Sequence, residues 1–286
     1  MKKTFLTSLL FFITAIIICG QPKPVRLIIR GDDMGYSHSG NEAIIQCYKK
    51  GIEKSIEIIV PSPWFPEAVQ LLKENPGVDV GIHLALTSEW DNIKWRPLTD
   101  CKTLQDEDGY FLPMVWPNKN YPGKSIKEKQ WKLDDIEKEF RAQIEMAIKK
   151  IPGISHISDH MGCSGINDSV KLLTVKLAKE YHLYIDLQQL GVQWVGYEGV
   201  HITLDEKIES FTKMLNKLQP GNTYIFVDHP GFDGPELRAI HHIGYENVAI
   251  DRQGVTDLWT NETIKALIKT KQIQLISYKD LLTSQK

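Results

Sequence analysis

Seven short apolar runs, most of them separated by segments of helical periodicity, constrain this chain more than any other feature. The runs are Val25–Ile29, Ser55–Val60, Val78–Leu86, Ile154–His160, His182–Leu187, Asn222–Pro230 and Ile273–Ser277. They are rich in β-branched residues and closed by Gly or Pro, as buried strands are. Between them, apolar residues recur at three- and four-residue spacing over Ser39–Lys50, Glu67–Lys73, Leu133–Lys150, Ser169–Tyr181, Leu204–Leu218 and Thr256–Thr270. Leu133–Lys150 is the clearest, with Ile136, Phe140, Ile144, Ala147 and Ile148 on one side. Strands joined through helices are parallel strands, so the expected class is α/β. Seven such units suggest a closed or nearly closed (β/α) barrel. A doubly wound open sheet is the alternative, because strand order is not written in the sequence. No linker divides the 286 residues, and 42% hydrophobic content suffices for one large core, so a single domain is expected.

Two stretches break the alternation. Lys2 and Lys3 precede an apolar run from Phe5 to Cys19, and the chain turns polar at Gln21. That order marks residues 1–20 as an export signal, and the mature domain as 21–286. Cys19 stands where a lipoprotein carries its lipid, although Ile18 occupies a position that usually holds a small residue. The expected location is therefore periplasmic, secreted or membrane-anchored. The second break is an irregular insertion at about 87–130, holding Trp90, Trp95, Tyr110, Phe111 and Trp116. Those aromatics suit either stacking on sugar rings or pinning the loop to the barrel. The net charge of −2 and pI near 6.5 give no sign of a nucleic-acid partner. Cys47, Cys101 and Cys163 lack metal-site spacing and are expected as buried free thiols.

In α/β folds, functional groups gather at the carboxyl ends of the strands. Here those ends carry Asp32 and Asp33, His83, His160, and the Asp228-His229 pair. Adjacent aspartates on a strand would point to opposite faces, but the flanking Gly31 and Gly35 allow the backbone to turn both toward one site. One Asp could instead cap the following helix. His83 alone could be a hydrogen-bonded core histidine. Collected at one rim, however, a carboxylate and two imidazoles suit a divalent cation, with Zn²⁺ favoured and Mg²⁺ the alternative. On the fourth strand His160 is the better ligand candidate, being nearest the carboxyl end, and His156 is expected in a lower layer.

Four segments, Arg30-Gly-Asp-Asp-Met-Gly35, Gly81-Ile-His-Leu-Ala-Leu-Thr87, Ser155-His-Ile-Ser-Asp-His160 and His229-Pro-Gly231, resemble in this order the motifs of the YdjC-like carbohydrate deacetylases. The resemblance spans roughly residues 25 to 280. It implies a distorted β/α barrel and a divalent metal held by Asp33, His83 and His160. It further implies Asp32 as general base and His229 as candidate acid, acting on an N-acetylated oligosaccharide. Gly31 and Met34 replace the family's Ala and Phe, while Ser158 and Gly162 stand where it usually has Asp and His. Two other functions remain open: an exported glycan-binding barrel without turnover, and a related metal hydrolase of another amide, ester or phosphate. Arg252 is expected to contact substrate, orient an acid or form a salt bridge. His38, His182, His201, His241 and His242 are expected outside the site, the 241–242 pair as polar surface.

Overall fold

The computed structural model describes residues 23–283, so the export signal and Cys19 lie outside the described residues. Strand β1 (Arg26–Met34) is central to the sheet. It pairs with β6 (Thr223–Asp228) from Arg26↔Thr223 to Gly31↔Asp228. Its other edge is shared: β7 (Gln274–Ile276) takes the lower half and β2 (Ser55–Ile58) the upper half. Strands β3 (Asp79–Leu84) and β4 (His156–Asp159) follow β2, and β5 (Val192–Val195) follows β6, all of them parallel. The order β4-β3-β2-β1-β6-β5 leaves β4 and β5 unpaired with each other, so this seven-stranded barrel is curled but open at that seam.

Alternation along β1 sets the two sides of the wall. Leu27 and Ile29 pack outward with Phe226, with Phe211 of α5 (Leu204–Lys217) and with Trp259 of α7 (Val248–Thr260). Ile28 faces the other way, toward Ile225 and Ile276, and Arg30 reaches Tyr278 on that inner side. Helix α3 (Leu133–Lys150) covers the far half of the sheet with Ile136, Phe140, Ile144 and Ala147, each fully buried. Asp134 and Asp135 in its first turn and Lys149 and Lys150 in its last complement the helix dipole.

Two sequence expectations need correction, and one alternative falls away. His182–Leu187 is not a strand: His182 has φ 59°, which turns the chain, and the fifth strand forms at Val192–Val195 instead. The expected helix over 256–270 is two helices, α7 and α8 (Glu262–Thr270), because Asn261 has extended backbone and caps the second with its side chain. Neither Asp32 nor Asp33 caps α1 (His38–Lys50); Ser37 does, accepting from the Gly40 N–H. Cys47, Cys101 and Cys163 are buried free thiols as expected. Among the described residues, no helix is long and apolar enough to cross a membrane.

Candidate metal centre

On a regular strand Arg30 and Asp32 share the inner face of β1, and Asp33 would point outward. The register with β2 slips between Gly31 and Met34, and Asp33 itself takes φ 71°. This bulge turns the Asp33 carboxylate back to the side that Asp32 occupies. Asp is among the few residue types that visit the left-handed region readily, so the strain of about 1–3 kcal/mol for such backbone is at its mildest here. Both carboxylates then meet His83 on β3: its Nε2 lies 3.6 Å from Asp32 Oδ2 and 3.6 Å from Asp33 Oδ1.

His160, in the turn after β4, completes the cluster, with Nδ1 3.1 Å from Asp33 Oδ1. One ligand atom from each of Asp33, His83 and His160 can be chosen with all three within 4.8 Å of one another, the arrangement of a cation site. The remaining atoms of these groups are already engaged. Asp33 Oδ2 accepts from Arg252 Nη2 at 3.1 Å. His83 Nδ1 meets Ser158 Oγ at 2.6 Å, and His160 Nε2 meets Glu89 Oε2 at 3.0 Å. Asp33 Oδ1 alone is buried without a well-aligned hydrogen bond, despite the nearby His160 nitrogen. An unsatisfied carboxylate oxygen facing two imidazole nitrogens fits a divalent ion such as Zn²⁺.

The electrostatics treat the two imidazoles differently. Burial pushes the His83 imidazole below its ordinary pKa, against the pull of Asp32, which favours the neutral form that a metal ligand needs. Burial opposes charge on His160 too, but Glu89 and Asp33 outweigh it and hold that imidazole well above its usual value. Burial alone would raise Asp33, yet the positive charges of His229, His160 and Arg252 keep it well below the usual carboxylate range.

Asp32 is not free to join these ligands. Arg30 grips both its oxygens, Nε to Oδ1 at 2.7 Å and Nη2 to Oδ2 at 2.8 Å, and Tyr278 Oη holds Arg30 from below at 2.8 Å. A carboxylate fixed beside the cluster by a bidentate guanidinium remains a proton acceptor, since each oxygen keeps a further lone pair. His229 sits opposite, its Nε2 3.7 Å from Asp33 Oδ2 and its Nδ1 3.6 Å from Asp228 Oδ1. Burial works against its charge, but Asp33 and then Asp228 raise its pKa, and 38% of the side chain stays exposed to the pocket side.

All five residues singled out by the motifs therefore meet in one cavity of about 440 Å³. Its remaining wall includes Trp90, Met161, His242 and Tyr245. His242, expected at the surface, stacks on Trp90 with ring centroids 5.5 Å apart. Trp95 and Phe111 are buried and pin the insertion, Trp90 is buried against Arg252, and Trp116 is exposed. A larger groove of about 620 Å³ lies within the insertion and contains none of the strand-end acids or histidines. Sequence reasoning missed Glu57 and Glu89. Glu57 lies in the middle of a strand buried at every position, where a carboxylate cannot face water and must have a partner. Glu89 lies in irregular chain with no periodicity to place it.

The exchange of Ala for Gly31 also has a cause. Glu53 is fully buried with neither carboxylate oxygen partnered, and burial together with Asp32 raises its pKa well above the usual range. A Cβ on residue 31 would fall on the Glu53 carboxylate. Gly31→Ala should thus destabilise by about 1–3 kcal/mol, the usual cost of overpacking. Adding Glu53→Ala should return part of the loss, as measured by urea unfolding of the single and double variants. Equal stability of Gly31→Ala and the parent would refute the clash.

Residues 26–270 match the family described as YdjC-like protein. A carbohydrate deacetylase of Clostridium beijerinckii is 31% identical over 267 residues, covering 90% of this chain and 100% of the relative. One from Listeria monocytogenes is 28% identical over 264 residues, with the same coverage of 90% and 100%. A crystal structure of a proposed cellobiose-phosphate cleavage protein from Enterococcus faecalis V583 has a TM-score of 0.70 at 22% identity. It covers 91% of this chain and 99% of that one, and so supports the barrel fold. With most of its length matched and the motif residues gathered in one cavity, the chain belongs to the YdjC-like protein family.

Proposed function

We propose that the protein is a metal-dependent carbohydrate deacetylase that hydrolyses the N-acetyl group of amino-sugar oligo- or polysaccharides. The observation carrying this reading is the unsatisfied Asp33 Oδ1 between two imidazoles, with Asp32 held 3.6 Å from one of them yet tied back by Arg30. The naming of the relatives as carbohydrate deacetylases supports the substrate class. Asp33, His83 and His160 would hold the cation, with Zn²⁺ favoured by the mixed nitrogen and oxygen donors. When bound, such an ion would act as a Lewis acid and lower the pKa of a water to about 7.

The residues around it have distinct tasks. Asp32 takes the proton of the water that attacks the acetamido carbonyl, its oxygens aimed by Arg30. His229, protonated beside Asp33 and Asp228, delivers a proton to the departing amine nitrogen. Acetate and the free amino sugar are the products. Tyr197 donates to Asp228 Oδ2 at 2.8 Å and so fixes the carboxylate beside His229. Lys2, Lys3 and the apolar run after them support export of the chain, which would place the reaction on glycans outside the cytoplasm.

Purified protein supplied with Zn²⁺ or Mg²⁺ should release acetate from chito-oligosaccharides or a related N-acetylated glycan, and a chelator should stop it. No acetate from any N-acetyl sugar in a broad panel, with metal bound, would overturn the assignment.

A further inference from the structure

Both imidazoles of the candidate centre have a second nitrogen, and the two are treated differently. His160 Nε2 meets a carboxylate directly, that of Glu89 at 3.0 Å. His83 Nδ1 meets only the hydroxyl of Ser158, at 2.6 Å. A serine hydroxyl both donates and accepts, so by itself it cannot decide which nitrogen of its partner carries the proton. The next residue can. Ser158 Oγ donates to Glu57 Oε2 at 2.5 Å, and a carboxylate at that place only accepts. The hydroxyl hydrogen is thus committed to Glu57, and what remains toward His83 is a lone pair. Nδ1 must then carry the ring proton, which leaves the Nε2 lone pair directed at Asp33 and the cation position.

Glu57 is built for a fixed position. It is fully buried, and its other oxygen accepts from His156 Nε2 at 2.5 Å. Tyr278 stacks on the His156 ring, with centroids 3.6 Å apart and planes 9° from parallel. The β3 backbone crosses the Glu57–His156 pair at Gly81, where any Cβ would collide with both side chains.

We propose that Glu57, acting through Ser158, is the positioning residue that selects the metal-binding tautomer of His83. This rests on the reading of Asp33, His83 and His160 as cation ligands. Groups that orient ligand histidines typically contribute about 10–100-fold in metal affinity. Zn²⁺ binding to the metal-free protein, read by competition with a chromophoric chelator, is the test, because it needs no turnover. Glu57→Gln keeps the shape of the side chain but can offer an N–H to Ser158, releasing the hydroxyl to donate to His83. It should weaken Zn²⁺ by about 10–100-fold. Adding Ser158→Asp to Glu57→Gln puts a carboxylate directly on Nδ1 and should restore affinity to near the parent value. A purely structural role for Glu57 would not be rescued in this way.

Should Glu57→Gln lose its cooperative melt, Ser158→Ala carries the measurement, since it leaves the Glu57–His156 pair in place. It too should weaken Zn²⁺ at least tenfold. Parent-like affinity in a folded Glu57→Gln or Ser158→Ala, or a folded double variant without recovery, overturns the assignment to Glu57. A parent protein that binds no divalent ion overturns the metal reading and this inference together.

Discussion

Asp32→Asn is expected to lower kcat by ~10²–10⁴-fold, the range that positioned acid–base groups contribute, while Zn²⁺ affinity stays close to the parent value. Asn preserves the volume and still accepts one bond from Arg30, so the tether survives in part. It cannot take a proton from water. Asp32 Oδ2 lies 3.6 Å from His83 Nε2, close to where the cation would sit, yet both Asp32 oxygens are bound by Arg30. The separation of binding from turnover is therefore the diagnostic. Steady-state acetate release and a Zn²⁺ titration on the same preparation read both. A variant with kcat within tenfold of the parent would remove Asp32 from the proton-transfer role.

Asp33→Asn is expected to fail twice. Asn tolerates the left-handed backbone at this position, so the bulge persists and the loss is one of charge. The cation site loses its only anionic ligand, and metal should no longer survive dialysis. The free protein should also be weakened. Arg252 is buried, reaches Asp33 Oδ2 at 3.1 Å and packs against the faces of both Tyr36 and Trp90. Removing one charge of a buried pair typically costs about 3–5 kcal/mol, because the survivor stays uncompensated. Urea unfolding of the metal-free variant isolates that second effect from metal binding. Stability equal to the parent would show that Arg252 does not depend on this carboxylate.

The strand ends were legible because a parallel strand that is buried on both faces places polar groups most readily where it stops. Asp32, Asp33, His83, His160 and His229 stand out for that reason, and the fold brings all five to one cavity. What the sequence concealed is geometric. Gly31 and Gly35 suggested a turn, but it is Asp33 that carries the decisive backbone angle, which no pattern of residue types announces. The fifth strand was misplaced because His182–Leu187 alternates like a strand. The true one, Val192–Val195, is four residues long, with two exposed side chains and a glycine on either side. Glu57 between two isoleucines looks like ordinary alternation until the sheet curls and that face becomes the interior. Ser158 reads as a departure from the family pattern; only the Glu57 contact shows that a carboxylate still stands behind His83.

The shared edge of β1 has a consequence for how the molecule is made. Its upper half is matched by Ser55–Ile58, soon after it in the chain, but its lower half waits for Gln274–Ile276. Such long-range pairing is slow to form. The lower half of that edge therefore stays unpaired until Gln274–Ile276 has emerged, long after the upper half, beside the two acids, can pair with Ser55–Ile58.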